Sequence, residues 1–365
     1  MSAPAVRLLP GDYAPWFHAP ALDGSERFAF NTVAGRAVVL LFLGSAGIPA
    51  VAEALALVAR NRSAFDDANA CIFGVTTDPE DVAKGRIAVQ IPGIRHFLDY
   101  DKEVSRLYGA ALDERHYQPH WLVLDRELRV TGRFELQEGE QALACMRATI
   151  ERAGRDSWAP VIVVPDVFPP DLCRQLIDLY ARNGGKPSGF MRDIDGKTRL
   201  VLDSGFKRRQ DCMIEDEVLT RRLMAHVHRR VAPAIERAFQ FKATRIERYL
   251  VACYEAGNGH FQAHRDNTTF GTRHRRFAVT INLNADEYEG GDLRFPEFGP
   301  RTYRAPTGGA VAFSCSLLHE ALPVTRGTRY AFLPFLYDDA AAEIRRANLS
   351  RLAAEDAASA RNAGS

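Results

Sequence analysis

The 365 residues carry 47 Lys and Arg against 46 Asp and Glu, a formal net charge of +1, with 46% hydrophobic and 25% charged residues. That length predicts two domains with cores of their own, and the balanced charge excludes a global electrostatic case for nucleic acid or an anionic membrane. The opening MSAPAVRLLPGDYAP lacks the charged and then apolar run of a signal peptide, the longest apolar run (Ala37 to Leu43) is too short for a bilayer, and six cysteines without a Cys-x-x-Cys pair read as reduced thiols of a cytoplasmic protein.

After a turn-rich start, Ala37 to Leu43 is continuously apolar, which predicts a strand covered on both faces. A helical pattern follows over Val51 to Phe65, then a buried strand over Cys71 to Thr76, a crossover helix over Pro79 to Val89 and a short helix over Lys102 to Tyr108. Two strands, Trp121 to Asp125 and Arg129 to Phe134, flank a polar turn, and Gln141 to Ala153 closes the half as a helix. Strands alternating with helices predict an α/β sheet for residues 1–155.

The phrases Gly11-Asp12-x-Ala14-Pro15-x-Phe17, Gly35-Arg36-x-Val38-Val39-Leu40, Gly74-Val75-x-x-Asp78 and Trp121 to Asp125 resemble the peroxiredoxin branch of the thioredoxin fold. The resemblance covers about residues 8 to 136 and implies a thioredoxin-like fold. Members of that branch place a reactive Cys at the start of the helix after the first core strand, where the helix N-terminus lowers the thiol pKa. Here Ala50 stands near that position and Cys71 falls within a strand. A non-catalytic domain follows, serving stability, homodimerisation or substrate presentation.

Gly154 to Pro160 reads as a linker, Val161 to Val164 as a strand, and residues 171–182 as a helix closed by Gly184-Gly185. Residues 186–214 are polar and glycine-punctuated, a pattern that predicts an irregular loop beside the site. Leu219 to Phe241 is amphipathic and divided at Pro233. From Ile246 short strands alternate with glycine turns: Ile246–Tyr254, Phe277–Leu283, Asp292–Phe295, Thr302–Arg304, Gly309–Ser314 and Arg329–Leu336. Helices followed by strands predict an α+β double-stranded β-helix, or jelly roll, with flanking helices over residues 160–338. An Ala-rich helical tail occupies 339–365.

Within that barrel, His264-x-Asp266 follows a strand and a glycine turn. Residues two apart on an extended chain face the same side, so imidazole and carboxylate converge. A second His on a neighbouring strand would complete a 2-His-1-carboxylate face, which holds Fe(II) and leaves positions open. His319, 53 residues beyond Asp266, is the candidate. Ten residues further, Arg329 can grip a carboxylate through two parallel hydrogen bonds, as a 2-oxo diacid chelating the iron would require. His260 and His274 read as packed or surface imidazoles, and the run Arg273 to Arg276 as a solvated loop.

His264-x-Asp266, His319 and Arg329, with Tyr254-x-x-Gly257, Asn282-Leu283-Asn284 and Glu289 to Leu293, resemble the Fe(II)/2-oxoglutarate dioxygenases of the prolyl 4-hydroxylase type. The run Val251 to Asn267 is similar to the oxygen-sensing prolyl hydroxylases in particular. The resemblance implies His264, Asp266 and His319 as catalytic iron ligands, Arg329 as anchor of the 2-oxoglutarate C5 carboxylate, Tyr254 as a hydrogen-bonding partner of that cosubstrate, and Asn282, where many members carry Tyr, as a further contact. It also implies ascorbate as reductant, and O2 with a prolyl-type peptide, an amino acid or a small molecule as substrates. Collagen-type members carry Lys at the place of Arg329, so collagen hydroxylation is not carried over. The rival readings are a redoxin-like protein-binding module with a metal-stabilised barrel, against which Arg329 argues, and a residual peroxidase, against which Ala50 argues.

Overall fold

The computed structural model describes residues 8–113, 115–152, 157–257 and 259–352. The chain divides into two compact units: one reaches Ser157 and includes Pro296–Pro300, the other runs from Trp158 to Phe295 and resumes at Arg301. Residues 154–156 of the predicted linker and 353–365 of the tail lie outside the described residues.

The first unit is built on a five-stranded sheet in the order Ile94–Leu98, Ala70–Thr76, Ala37–Gly44, His120–Leu124, Val130–Glu135. The first three strands are parallel and the last two antiparallel to their neighbours. Ala37–Gly44 is buried at every position, as its unbroken apolarity requires. Helices Pro49–Arg60 and Gly139–Arg152 supply Val51, Val58, Leu143 and Met146 to one core cluster with Val39 and Trp121. Two elements differ from expectation. The crossover helix is a single turn, Glu80–Ala83, because Gly85 takes φ +61 and ends it. The strand Ile94–Leu98 went unread because Arg95 and His96 interrupt its apolar pattern.

The second unit has a nine-stranded and a five-stranded sheet. In the larger, the strands run Arg245–Glu247, Phe335–Tyr337, Phe277–Asn282, Thr328–Phe332, Leu250–Glu255, Gln210–Met213 and Lys186–Pro187; Ala310–Ser314 joins through Phe277–Asn282 and carries Val161–Val164. The smaller runs Lys207–Arg208, His260–His264, His319–Ala321, Leu293–Arg294, Thr302–Tyr303. One face of the large sheet, with Val251, Val279, Ile281 and Phe332, packs on helices Pro170–Asn183, Glu217–Arg230 and Ala232–Phe239 through Leu176, Leu223, Val227 and Ile235. Each such buried side chain contributes about 1.5–3 kcal/mol. The opposite face places Leu250, Ala252 and Tyr254 against Phe261 and Ala321 of the small sheet. This is the jelly roll, and its interior is the space between the sheets.

Three local breaks follow from backbone chemistry. Pro233 begins a new helix after Arg230. The expected strand Ile246–Tyr254 is cut at Arg248, whose φ is +68. The expected strand Arg329–Leu336 is cut at Leu333-Pro334, since proline has no N–H for the ladder. Residues 186–214 are not an irregular loop: they form five short strands, whose alternation was hidden in part because Lys207 and Arg209 are buried charged side chains. Among the described residues no helix is long and apolar enough to cross a membrane.

Candidate functional site

The jelly roll brings two cross-strand pairs to one cavity. In the small sheet His264 lies directly opposite His319, with ring centroids 4.3 Å apart. In the large sheet Tyr254 lies directly opposite Arg329. Asp266 follows the His260–His264 strand, its N–H donating to Cys315 O at 3.0 Å. Its carboxylate oxygens stand 3.5 Å from His264 Nε2 and 3.3 Å from His319 Nε2. One ligand atom from each of the three residues fits within a mutual distance of 4.8 Å.

The imidazoles are oriented for metal binding. His264 Nδ1 lies 2.7 Å from Gln262 O and His319 Nδ1 lies 3.1 Å from Leu317 O. A carbonyl oxygen only accepts, so each Nδ1 carries the proton and each Nε2 presents its lone pair to the shared point. Burial, and then His264, lower His319 to about 4, so it is neutral at pH 7. Phe261 stacks on His264 at 3.5 Å and Phe313 meets His319 edge-on at 4.6 Å. Two imidazoles and a carboxylate from three protein residues suit Fe(II) with positions left open.

Arg329 is 2% exposed, and its Nε and Nη1 have no hydrogen-bond partner. Its guanidinium lies 4.9 Å from the centre of the Tyr254 ring, and no carboxylate among the described residues pairs with it. A buried cation without an anion is costly, so this side chain is built for an anionic occupant. Arg329, Tyr254, His264, Asp266 and His319 line the same cavity. Asn282 does not line it: its Nδ2 donates to Ala305 O at 2.7 Å, and Thr280, two residues earlier on the same strand face, reaches the cavity wall instead.

Sequence reasoning missed Arg209 and Arg248 on that wall. Arg209 Nε and Nη2 donate to Asp211 at 2.6 and 2.7 Å, and Nη1 donates to Tyr254 Oη at 3.4 Å. Burial alone would raise Asp211; Arg209 outweighs it and holds the carboxyl at about 2. Spacing held the signal, since Lys207, Arg209 and Asp211 alternate across the junction of strands Lys207–Arg208 and Gln210–Met213. The run Arg273 to Arg276 is not simply solvated: His274 Nε2 and Arg275 Nε meet Glu247 at 2.9 and 2.7 Å. His260 is half-buried, its Nε2 3.1 Å from Gly205 O.

In the first unit, Ala50 lies in the first turn of helix Pro49–Arg60. Beside that helix start a carboxylate, not a thiol, takes a backbone and a hydroxyl donor: Ala46 N–H and Thr76 Oγ1 donate to Asp81 Oδ2 at 2.9 and 2.6 Å. Cys71 is buried, and burial pushes its thiol up to about 12, against what a thiolate nucleophile needs.

Residues 249–337 match the family model of the 2OG-Fe(II) oxygenase superfamily, and residues 10–133 that of the AhpC/TSA family. The chain carries an oxygenase domain of that superfamily behind an AhpC/TSA domain. The superfamily implies Fe(II) and 2-oxoglutarate, for which the imidazole pair, Asp266 and the unpaired Arg329 are suited. A PKHD-type hydroxylase of Synechococcus sp. (strain JA-2-3B'a(2-13)) is 36% identical over 111 residues, 28% of this chain and 49% of that protein. A second, from Stutzerimonas stutzeri (strain A1501), is 28% identical over 145 residues, 38% of this chain and 64% of that one. The chain thus spans about half to under two thirds of those relatives' length. A Pseudomonas putida prolyl-4-hydroxylase crystal structure superposes with a TM-score of 0.39 at 19% identity, covering 49% of this chain and 92% of that one.

Proposed function

We propose that the oxygenase domain hydroxylates a C–H bond of a prolyl-type peptide, amino acid or small molecule in an Fe(II)- and 2-oxoglutarate-dependent reaction, with succinate and CO2 as co-products. The observation that carries this reading is Arg329: a buried, carboxylate-free guanidinium in the same cavity as a 2-His-1-carboxylate cluster. A metal site that only stiffened the barrel has no use for such a cation.

In this reading His264, Asp266 and His319 hold the iron. When bound, iron with the 2-oxo acid and O2 supplies the oxidising power. The chain supplies the rest. Gln262 O and Leu317 O keep both imidazoles in the ligating tautomer. Arg329 receives the distal carboxylate of 2-oxoglutarate, with Tyr254 beneath it and Arg209 fixing the Tyr254 hydroxyl. Phe261, Phe313 and Leu293 line the cavity and keep water from it. Asn282, already bonded to Ala305 O, acts by shaping the wall rather than by touching the cosubstrate.

Anaerobic reconstitution of the full chain with Fe(II) and 2-oxoglutarate, in the presence of ascorbate, tests this. A visible charge-transfer band and succinate formation on admitting O2 are expected, both lost in His264→Ala. Absence of the band and of succinate in the unmodified chain would overturn the reading.

A further inference from the structure

Arg248 joins strands Arg245–Glu247 and Leu250–Glu255 and lines the same cavity. Its φ of +68 is a left-handed conformation that side chains other than glycine rarely adopt. Such a backbone persists where its surroundings impose it, and it concentrates at functional sites. The consequence here is that a guanidinium, one-quarter exposed, sits on the wall of the site.

A carboxylate does stand within ion-pair distance of Arg248, but it is shared. Asp211 Oδ2 is 3.7 Å away, beyond hydrogen-bond distance, and Asp211 already takes two bonds from Arg209 and one from Ser188. Glu247, its chain neighbour, is taken by Arg275 and His274. Asp266 faces the two imidazoles. Arg209 and Arg275 add positive charge, and Lys207 lies in the same cluster. Beneath Arg248 is only the Phe335 ring, at 5.1 Å. Burial, and then Arg209, pull Arg248 down to about 10, with Asp211 offsetting only part.

The cavity therefore has one guanidinium without a carboxylate, Arg329, and a second, Arg248, that only shares Asp211 with Arg209. In the function proposed above, on which this inference rests, 2-oxoglutarate gives one carboxylate to Arg329 and its other end to the metal. Nothing of it remains for Arg248. We infer that Arg248 is a specificity-determining residue that binds a carboxylate of the substrate itself, so that the hydroxylated compound is an acid: a free or N-acylated amino acid, or a peptide presenting an acidic side chain. The run Arg273 to Arg276 does not supply this charge, since His274 and Arg275 are spent on Glu247.

The test is calorimetric titration of the full chain, with Fe(II) and 2-oxoglutarate under anaerobic conditions and again without metal. The probes are N-acetyl-L-amino acids against their primary amides, and blocked tripeptides with a central Glu against central Gln. At least one carboxylate should bind about 10-fold or more tightly than its amide, and the arm in which it does so distinguishes a free acid from an acidic side chain. Arg248→Gly, whose backbone is at ease at that φ, and Arg248→Asn should abolish the preference with unchanged thermal stability and unchanged 2-oxoglutarate affinity; Arg248→Lys should restore part of it. The inference falls if no carboxylate is preferred over its amide, or if Arg248→Gly keeps the preference. A charge-transfer band without carboxylate preference removes this inference alone. Carboxylate preference without a band leaves an anion site but overturns its role in oxygenation.

Discussion

Arg329 shows how one residue sets the character of a site. Its neighbours across the ladder and above its face are tyrosines: Tyr254 opposite it, and Tyr288, whose hydroxyl burial raises and Arg329 lowers. Neither neutralises a charge. A bound carboxylate would form parallel charge-assisted hydrogen bonds with the two nitrogens now without partners. Replacing Arg329 by Gln removes the charge and keeps hydrogen-bonding capacity. We expect 2-oxoglutarate affinity to fall by about 100-fold, equivalent to about 3 kcal/mol for a buried charge-assisted pair, with Fe(II) affinity unchanged. Anaerobic titration of the charge-transfer band against 2-oxoglutarate measures both, and an affinity within threefold of the unmodified chain would remove Arg329 from the cosubstrate site.

At the scale of elements, alternation carried the reading and buried charge defeated it. Phe277–Asn282 was legible because Val279 and Ile281 are apolar and face the helices. The strand holding Gln210–Met213 was not, because Asp211 faces Arg209 rather than solvent. Ile94–Leu98 was missed for a related reason: its central residue, His96, is 3% exposed. His96 stands opposite Gly74 in the parallel pair, and a Cβ on Gly74 would come within 2.4 Å of His96 Nδ1, so glycine makes room for the ring. Burial lowers His96 to about 4 from 6.5. The folded form thus resists protonation while the unfolded chain accepts it, so stability present above pH 6.5 is lost as pH falls from 6.5 towards 4. At pH 5 the loss is about 2 kcal/mol relative to pH 7. In His96→Gln that component should vanish. Thermal unfolding of both chains at pH 7 and 5 measures it, and an equal acid sensitivity would contradict it.

For the whole molecule, a net charge of +1 conceals an interior of the second unit with several charged side chains: Arg209, Arg329 and Glu247 are each under a tenth exposed. A metal ion that binds the folded triad but not the unfolded chain stabilises the fold by mass action. At 100 times its dissociation constant Fe(II) should add about 3 kcal/mol, seen as a raised midpoint of anaerobic thermal unfolding. Asp266→Ala should remove that increment. An unchanged midpoint in the unmodified chain would exclude metal binding by the folded triad at that concentration.

Local pattern determined much of this protein. Continuous apolarity marked the first sheet's central strands, the helix-then-strand order marked the jelly roll, and His264-x-Asp266 announced two side chains on one face, because backbone period and side-chain polarity are local properties. The absent thiol at Ala50 was equally plain. Tertiary structure alone decided which distant residues meet: that His319 pairs with His264 and Arg329 with Tyr254, that Asn282 is turned to Ala305, and that Asp211 and Glu247 are already spent on Arg209 and Arg275. Whether a charge is neutralised depends on the distance to its partners across strands, and that distance is set only when the sheets close. The strained Arg248, sharing Asp211 with Arg209, is visible only there.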